Sequence, residues 1–340
     1  MFHKAFSHIY IEEEIVDTGC VCELLEKLPN AEPIVIGHYK DIFGRHGMDA
    51  NLQNQYPQLI LAKNREKKIY KGSPVCQSFG NHYFYYTSNV KNCIYHCEYC
   101  YLRGMYPCGH VVIFTNLEDT FEEVEKILCE HPVYLCVSYD TDLLALEKIT
   151  GFLARWIAFC GSHPDLQIEI RTKCSKVEEI QRLSYILNPR ANQKIIFAFT
   201  LSPDKIIRTY ERGTPGLTGR LKAVKQSIEC GFSTRLCFDP MIYERDYPSL
   251  YQEMISTIRR AIPDPDQLLD VSIGSFRISG EYLKNMRKNG RDSVIANFPY
   301  ELTNGFYHYP YGLDRQMEQY LKKLLMDFLP EQKIFLWQEE

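Results

Sequence analysis

Cys93, Cys97 and Cys100 stand at C-x3-C-x2-C spacing within Cys93-Ile94-Tyr95-His96-Cys97-Glu98-Tyr99-Cys100-Tyr101, a stretch that reads as a single loop. Cysteine thiolates hold four-iron clusters. No fourth cysteine follows at a fitting distance, so three thiolates would leave one iron open, and an open position is what a metal centre needs to act on a ligand. The competing reading is zinc with a remote fourth ligand: Cys76, Cys108 or His96. The spacing favours the cluster, because zinc modules use paired C-x2-4-C units.

Alternating strands and helices must position this loop. Tyr83 to Thr87 is a β-branched and aromatic run that feeds directly into it. Val111 to Thr115 reads as the next strand, with Asn116 capping a helix whose apolar positions are Leu117, Phe121, Val124 and Leu128. Val133 to Ser138 is the third strand, followed by one long helix through Leu143, Leu146, Ile149, Leu153 and Trp156. Strands at Gln167–Thr172, Ile195–Leu201 and Thr234–Phe238 alternate with helices at Lys176–Leu187, Arg220–Glu229 and Leu250–Ala261. This order predicts parallel βαβ units, and the near-continuous apolar strands suit a sheet buried on both faces. Residues 1–78 read as a separate small α/β unit, 79–265 as a partial barrel, and 266–340 as an extension with an extra strand at Val271–Phe276, a Tyr-rich hairpin and a terminal helix at Gln316–Phe328.

The 340 residues carry a net charge of −4 and 45% hydrophobic residues, enough for a large core and too little positive charge for a broadly basic surface. Any nucleic-acid contact must therefore be a local patch. Met1-Phe2-His3-Lys4 opens no apolar leader, and no stretch is long enough to span a membrane. The 13 cysteines are otherwise scattered, which predicts a reducing cytoplasm rather than a disulfide scaffold. The basic run Lys63–Lys71 reads as a solvated linker more than as a phosphate-contacting face.

The cysteine spacing, with an aromatic residue before its last member, resembles the radical S-adenosylmethionine (SAM) enzymes, and six βα units after residue 80 resemble their open (β/α)6 barrel. More narrowly, residues from about 80 to 330 resemble the spore photoproduct lyases. The segments that carry this likeness are Cys97–Leu102, Thr115–Asp119, Thr141–Leu144, Arg171–Lys173, Glu211–Pro215, Gly219–Ala223 and Asp239–Tyr243, with His38–Phe43 in the N-terminal part. The resemblance implies a DNA repair lyase that reverts the spore photoproduct, 5-thyminyl-5,6-dihydrothymine, to two thymines through a 5′-deoxyadenosyl radical. It implies a [4Fe–4S] cluster and SAM as cofactors. It also implies double-stranded DNA with a flipped-out thymine lesion and an electron donor such as flavodoxin or ferredoxin as partners. A radical SAM enzyme of this scaffold with another substrate is the alternative.

By the same resemblance, Cys93, Cys97 and Cys100 bind the cluster, and Tyr99 and Tyr101 are the tyrosines beside SAM. Thr141, Lys173 and Thr200 contact SAM. Lys173 could instead be a surface cation at a strand end, and Thr141 and Thr200 could cap helices. A Gly-Gly-Glu-like segment for the methionine amine is absent; Asp140 and Asp142 are the available carboxylates. The pattern breaks at the hydrogen donor, where Tyr139 replaces the usual cysteine. Strand alternation would put Val133, Leu135, Val137 and Tyr139 on one face and turn Cys136 away. Cys76, on the approach Gly72-Ser73-Pro74-Val75, is then the candidate thiol, with Tyr139 in the relay. For DNA, the candidates are Arg277, Tyr307 and Tyr309, with Lys284, Arg287, Lys288 and Arg291 as phosphate contacts. The Tyr-rich run could equally be edge packing.

Overall fold

The computed structural model describes residues 6–45, 47–73, 76–289 and 293–337. Met1–Lys4, Pro74, Val75 and Arg291, named above, lie outside them.

Six parallel strands form the centre: β1 (Phe84–Thr87), β2 (Val133–Cys136), β3 (Leu166–Thr172), β4 (Ile195–Thr200), β5 (Ser233–Met241) and β6 (Asp270–Ser275), neighbours in that order. Ile334–Leu336 adds a parallel strand beyond β6, and Ile69–Lys71 pairs antiparallel with β1, so the sheet stays open. Every residue of β4 and β6 is buried, the pattern of strands covered on both faces. Helices Phe152–Ser162, Leu217–Glu229, Tyr247–Ala261 and Leu313–Met326 lie between or after these strands, with Trp156, Phe152, Phe197 and Phe199 deepest in the core.

Three expectations change. Val111–Phe114 is not a barrel strand. It joins a second sheet, ordered Glu32–Ile36, His8–Glu12, Leu59–Ala62, Val111–Phe114, Val90–Lys91. Leu59–Ala62 and Val111–Phe114 are each wholly buried, and they pair in parallel register from Leu59↔Val111 to Ala62↔Phe114. The sixth barrel place falls to β6 instead. The long helix after β2 is two, Leu143–Thr150 and Phe152–Ser162, because Gly151 takes φ 64 between them, a left-handed turn that ends helices. Asn116 does not cap its helix; its side chain accepts from Asn64 N at 2.8 Å and donates to Asp119 at 2.7 Å.

The barrel interior is filled low down by charge. The fully buried Arg235 donates to Glu169 at 2.5 Å, to Asp270 at 2.7 Å and to the Tyr134 hydroxyl at 2.6 Å. The Phe79 ring lies 3.1 Å from its guanidinium carbon. This plug leaves chemistry to the strand C-terminal ends, where α/β folds place their sites. The basic run is a paired surface: Arg65 bonds Glu12 and Glu14, Lys40 reaches Glu66, and Lys68 reaches Glu123. The run is thus only partly the linker expected, since Ile69–Lys71 is the strand that pairs with β1.

Candidate active site

The loop after β1 brings its three thiols to one cavity, which Cys93, Cys97 and Cys100 line with Tyr95, His96, Tyr106 and Cys108. Ala50, Asn51 and Asn54 close it from the N-terminal part, and Met286 and Asn289 from the C-terminal extension. The extension is bonded to the loop: Ser293 Oγ donates to Glu98 at 2.6 Å and Asn285 to the Gly104 carbonyl at 2.9 Å. Gly104 is required there, since a Cβ would run into the Tyr282 backbone.

Burial pushes the Cys93 thiol up to about 12, with the nearby Asp142 charge adding to the shift. Burial also raises Cys97 and Cys100, while Lys173 draws both back toward the thiolate. Metal binding must therefore displace protons from these sulfurs. Among the described residues, no group of three or more His, Cys, Asp or Glu side chains converges on a single ion. That is compatible with a four-iron core, where each thiolate takes a different iron.

Tyr99 is buried, and its hydroxyl donates to Glu211 Oε1 at 2.6 Å. That carboxylate also accepts from Ser202 at 2.7 Å and pairs with the fully buried Arg220. Burial opposes the charge on Glu211, but Arg220 and Lys173 hold its carboxyl below the usual range. Tyr99 was expected beside SAM. Its hydroxyl is committed to Glu211, because a buried phenol and a buried carboxylate each need a partner, which leaves its ring and backbone for that contact. The sequence offered no role for Glu211 or Arg220, although Glu211-Arg212-Gly213-Thr214-Pro215 stood out as a segment.

Lys173 is half-buried, not a surface cation, with its ammonium 5.6 Å from the Tyr99 ring centroid. Burial disfavours its charge, but Cys97 and Glu211 outweigh that and keep its pKa above the ordinary value. Thr141 is buried, and its Oγ1 has no hydrogen-bond partner. It does not cap the next helix; Asp142 does, accepting from Ala145 N at 3.1 Å. The Asp142 N–H helps to stabilise the Cys93 thiolate, which places Thr141 beside the cysteine loop. A buried unpartnered hydroxyl costs free energy unless a ligand satisfies it, so Thr141 fits a SAM contact. Thr200 ends β4, and its carbonyl accepts from Arg220 at 2.9 Å. It caps nothing, since Pro203 precedes the next helix.

Neither candidate for the methionine amine is free. Asp142 accepts from Thr172 at 2.9 and 3.0 Å and from Lys173 N at 2.7 Å. Asp140 accepts from Ser88 at 2.5 Å, Tyr101 at 3.0 Å and Tyr106 at 3.0 Å.

Cys76 Sγ lies 3.2 Å from the Tyr139 hydroxyl. The Tyr139 ring stacks on Tyr86 at 3.9 Å, and the Tyr101 ring centroid is 6.2 Å further on. Tyr101 donates to the Tyr139 carbonyl at 3.1 Å. The thiol inferred from the loop and the tyrosine that replaces the usual donor are thus in contact. Cys136 requires a correction. It packs with Phe84, Tyr134 and Ile196 in the cluster that Cys76, Tyr86 and Tyr139 adjoin, rather than toward the helices. The alternation fails just beyond Val137, whose N–H still donates to the Glu169 carbonyl at 3.0 Å: the Ser138 hydroxyl, not a backbone carbonyl, then accepts from Arg171 N at 2.6 Å.

The DNA candidates divide. Tyr309 is 1% exposed and packs among Tyr243, Phe276, Phe298 and Tyr300, so it is core. We expect Tyr309→Ala to destabilise the fold by about 3–5 kcal/mol in chemical denaturation; a variant of wild-type stability with weakened DNA binding would contradict this. Arg277 is held by both Asp239 oxygens, at 3.1 and 2.9 Å, and its guanidinium carbon lies 4.3 Å from the Trp337 ring centroid. That pairing occupies the guanidinium that was expected at a phosphate. Tyr307 is partly exposed on Phe306–His308, the middle strand of a three-stranded antiparallel sheet. Arg287 bonds the Ala296 carbonyl at 2.7 Å, while Lys284 and Lys288 are exposed. An open cavity of about 550 Å³ lies between this sheet and Leu313–Met326, lined by Ser275, Arg277, His308, Arg315 and Trp337.

An open barrel of six parallel strands, with three thiols on the loop after the first, is the radical SAM fold. The sequence profile of the spore photoproduct lyases matches residues 81–287, and the chain belongs to that family. It is 21% identical over 266 residues to the spore photoproduct lyase of Bacillus subtilis, covering 75% of this chain and 73% of that one. It is 23% identical over 215 residues to the enzyme of a Geobacillus species, covering 60% of this chain; the match spans 59% of that relative's length. Among solved structures, a spore photoproduct lyase variant with bound AdoMet and dinucleoside spore photoproduct superposes with a TM-score of 0.82 at 19% identity, covering 99% of this chain and 100% of the other. A spore photoproduct lyase complexed with the dinucleoside lesion gives 0.81 at 18% identity, covering 98% and 99%. At these identities the likeness is one of fold.

Proposed function

We propose that this chain is a radical SAM carbon–carbon lyase that returns the spore photoproduct to two thymines. The observation that carries the cofactor reading is the buried, unpartnered Thr141 hydroxyl beside a cavity lined by three thiols. Cys93, Cys97 and Cys100 would hold a [4Fe–4S] cluster, and Lys173 suits the SAM carboxylate. When bound, the cluster and SAM supply a 5′-deoxyadenosyl radical.

The chain's own residues then manage hydrogen. Cys76 gives its weakly held S–H hydrogen to the carbon radical left on the opened lesion. Tyr139, in contact with that sulfur, returns a hydrogen atom from its hydroxyl to the thiyl radical. The phenoxyl radical so formed is relayed through Tyr101 to 5′-deoxyadenosine, which gives back the hydrogen taken from the lesion at the outset so that SAM can be regenerated. Tyr101, bonded to the Tyr139 carbonyl and to Asp140, stands between Tyr139 and the cluster-side loop. The plugged barrel floor excludes water from below.

In this reading, the N-terminal part supports the cysteine loop from one side, the barrel from β1 to β6 with Cys76 on its approach carries the chemistry, and the residues after β6 face the nucleic acid. The lesion leaves the base stack to reach the mouth, at a cost of about a few kcal/mol. A low-potential flavodoxin or ferredoxin supplies the electron. All 13 cysteines are free thiols and no helix of the described residues is long and apolar enough to cross a membrane; both fit work on DNA in a reducing cytoplasm.

Anaerobic incubation with SAM, reductant and the dinucleotide lesion tests the activity. Thymine formation supports it; 5′-deoxyadenosine released without thymine would assign the scaffold to another substrate. A narrower expectation concerns Thr141→Val, which keeps the shape and removes the hydroxyl. It should weaken SAM binding by about tenfold in equilibrium titration of the iron-loaded protein, with iron content unchanged. Unaltered affinity would remove Thr141 from the SAM site.

A further inference from the structure

We propose that Glu211 and Arg220 form a positioning pair that holds the cysteine loop in its ligand-ready shape before any metal arrives. This inference rests on the reading of that loop as the cluster site. The loop has little regular structure of its own. Its one strand, His96–Cys97, is two residues long and pairs antiparallel with Glu211–Arg212, so that Cys97 faces Glu211. The Glu98 N–H extends the pairing by donating to the Tyr210 carbonyl at 2.7 Å. A two-residue ladder is a weak restraint alone, since short unsupported pairings are marginal.

Side chains supply the rest. The Glu211 carboxylate receives the Tyr99 hydroxyl, two residues beyond Cys97 and one before Cys100. Arg220 pairs with the same carboxylate and donates to the Thr200 carbonyl at 2.9 Å, the Pro215 carbonyl at 3.0 Å and the Thr214 hydroxyl at 2.8 Å. Through one carboxylate, the loop after β1 is therefore tied to the end of β4, across the barrel mouth. Gly213, at φ 84, makes the turn that brings Thr214 and Pro215 round to Arg220. Both partners of the pair are fully buried, where a charged pair is a poor source of stability but a strict setter of geometry. Its geometry fixes Tyr99 and Cys97 together.

Hydrogen exchange on the metal-free wild type, Glu211→Gln and Tyr99→Phe tests this without requiring a cluster. Tyr99→Phe leaves the Glu211–Arg220 pair in place and serves if Glu211→Gln fails to fold. Loop amides, above all that of Glu98, are expected to exchange about tenfold or more faster in the variants, while core amides of β4 and β5 keep wild-type protection. On anaerobic reconstitution the variants should retain about half the wild-type iron or less. Wild-type exchange at Glu98, or loosening of β4 and β5 by the same factor, would overturn the proposal. A wild type that takes up no iron while the exchange pattern holds would instead overturn the cluster reading and leave the clamp standing.

Discussion

Cys97→Ala is expected to give a folded protein that assembles no intact iron–sulfur cluster and loses repair by more than about a thousandfold. The fold should survive because the loop is fixed by groups other than that sulfur. The backbone of Cys97 pairs with Glu211, Tyr99 is bonded to the Glu211 carboxylate, and Glu98 is bonded to both Tyr210 and Ser293. Removing one small buried side chain costs about 1 kcal/mol in such a setting. Iron and sulfide analysis with a melting curve checks both halves. Full iron content with wild-type turnover would remove Cys97 from the metal site.

Cys76→Ala is expected to have the second largest effect, and a different one. Cluster and SAM cleavage should persist, because Cys76 lies against Tyr139 and not in the cysteine cavity. Thymine formation should fall by about tenfold or more, with the substrate radical diverted to adducts. Tyr139→Phe should leave the first quenching step and remove the return of hydrogen to sulfur, so that SAM is consumed about once per lesion rather than recycled. Chromatography of the products, with SAM counted against lesions opened, distinguishes the two variants. An unchanged product distribution in Cys76→Ala would take that thiol out of the mechanism.

What the sequence made legible followed from local chemistry. The cysteine spacing and five of the six barrel strands each depend on residues close in the chain. What it hid depends on partners far away. Val111–Phe114 is apolar on both faces, so it fits either sheet, and only pairing with Leu59–Ala62 decides. Cys136 was misoriented because alternation was carried past Ser138, whose hydroxyl interrupts the ladder. Arg277 is a free cation in sequence and a partner of Asp239 in space. Tyr309 belongs to an aromatic run that reads alike as nucleic-acid face or core, and its burial settles it as core. The claim of Glu211 on the Tyr99 hydroxyl was likewise hidden, because that carboxylate lies beyond the reach of any local pattern.

The most direct measurement is electron paramagnetic resonance of the anaerobically reconstituted, reduced protein, taken with and without SAM isotopically labelled at its amine and carboxylate. A three-thiolate cluster with one open iron predicts a reduced-cluster signal that shifts when SAM is added and shows magnetic coupling to the label. A signal indifferent to SAM, or no iron–sulfur signal from fully loaded protein, would contradict the account.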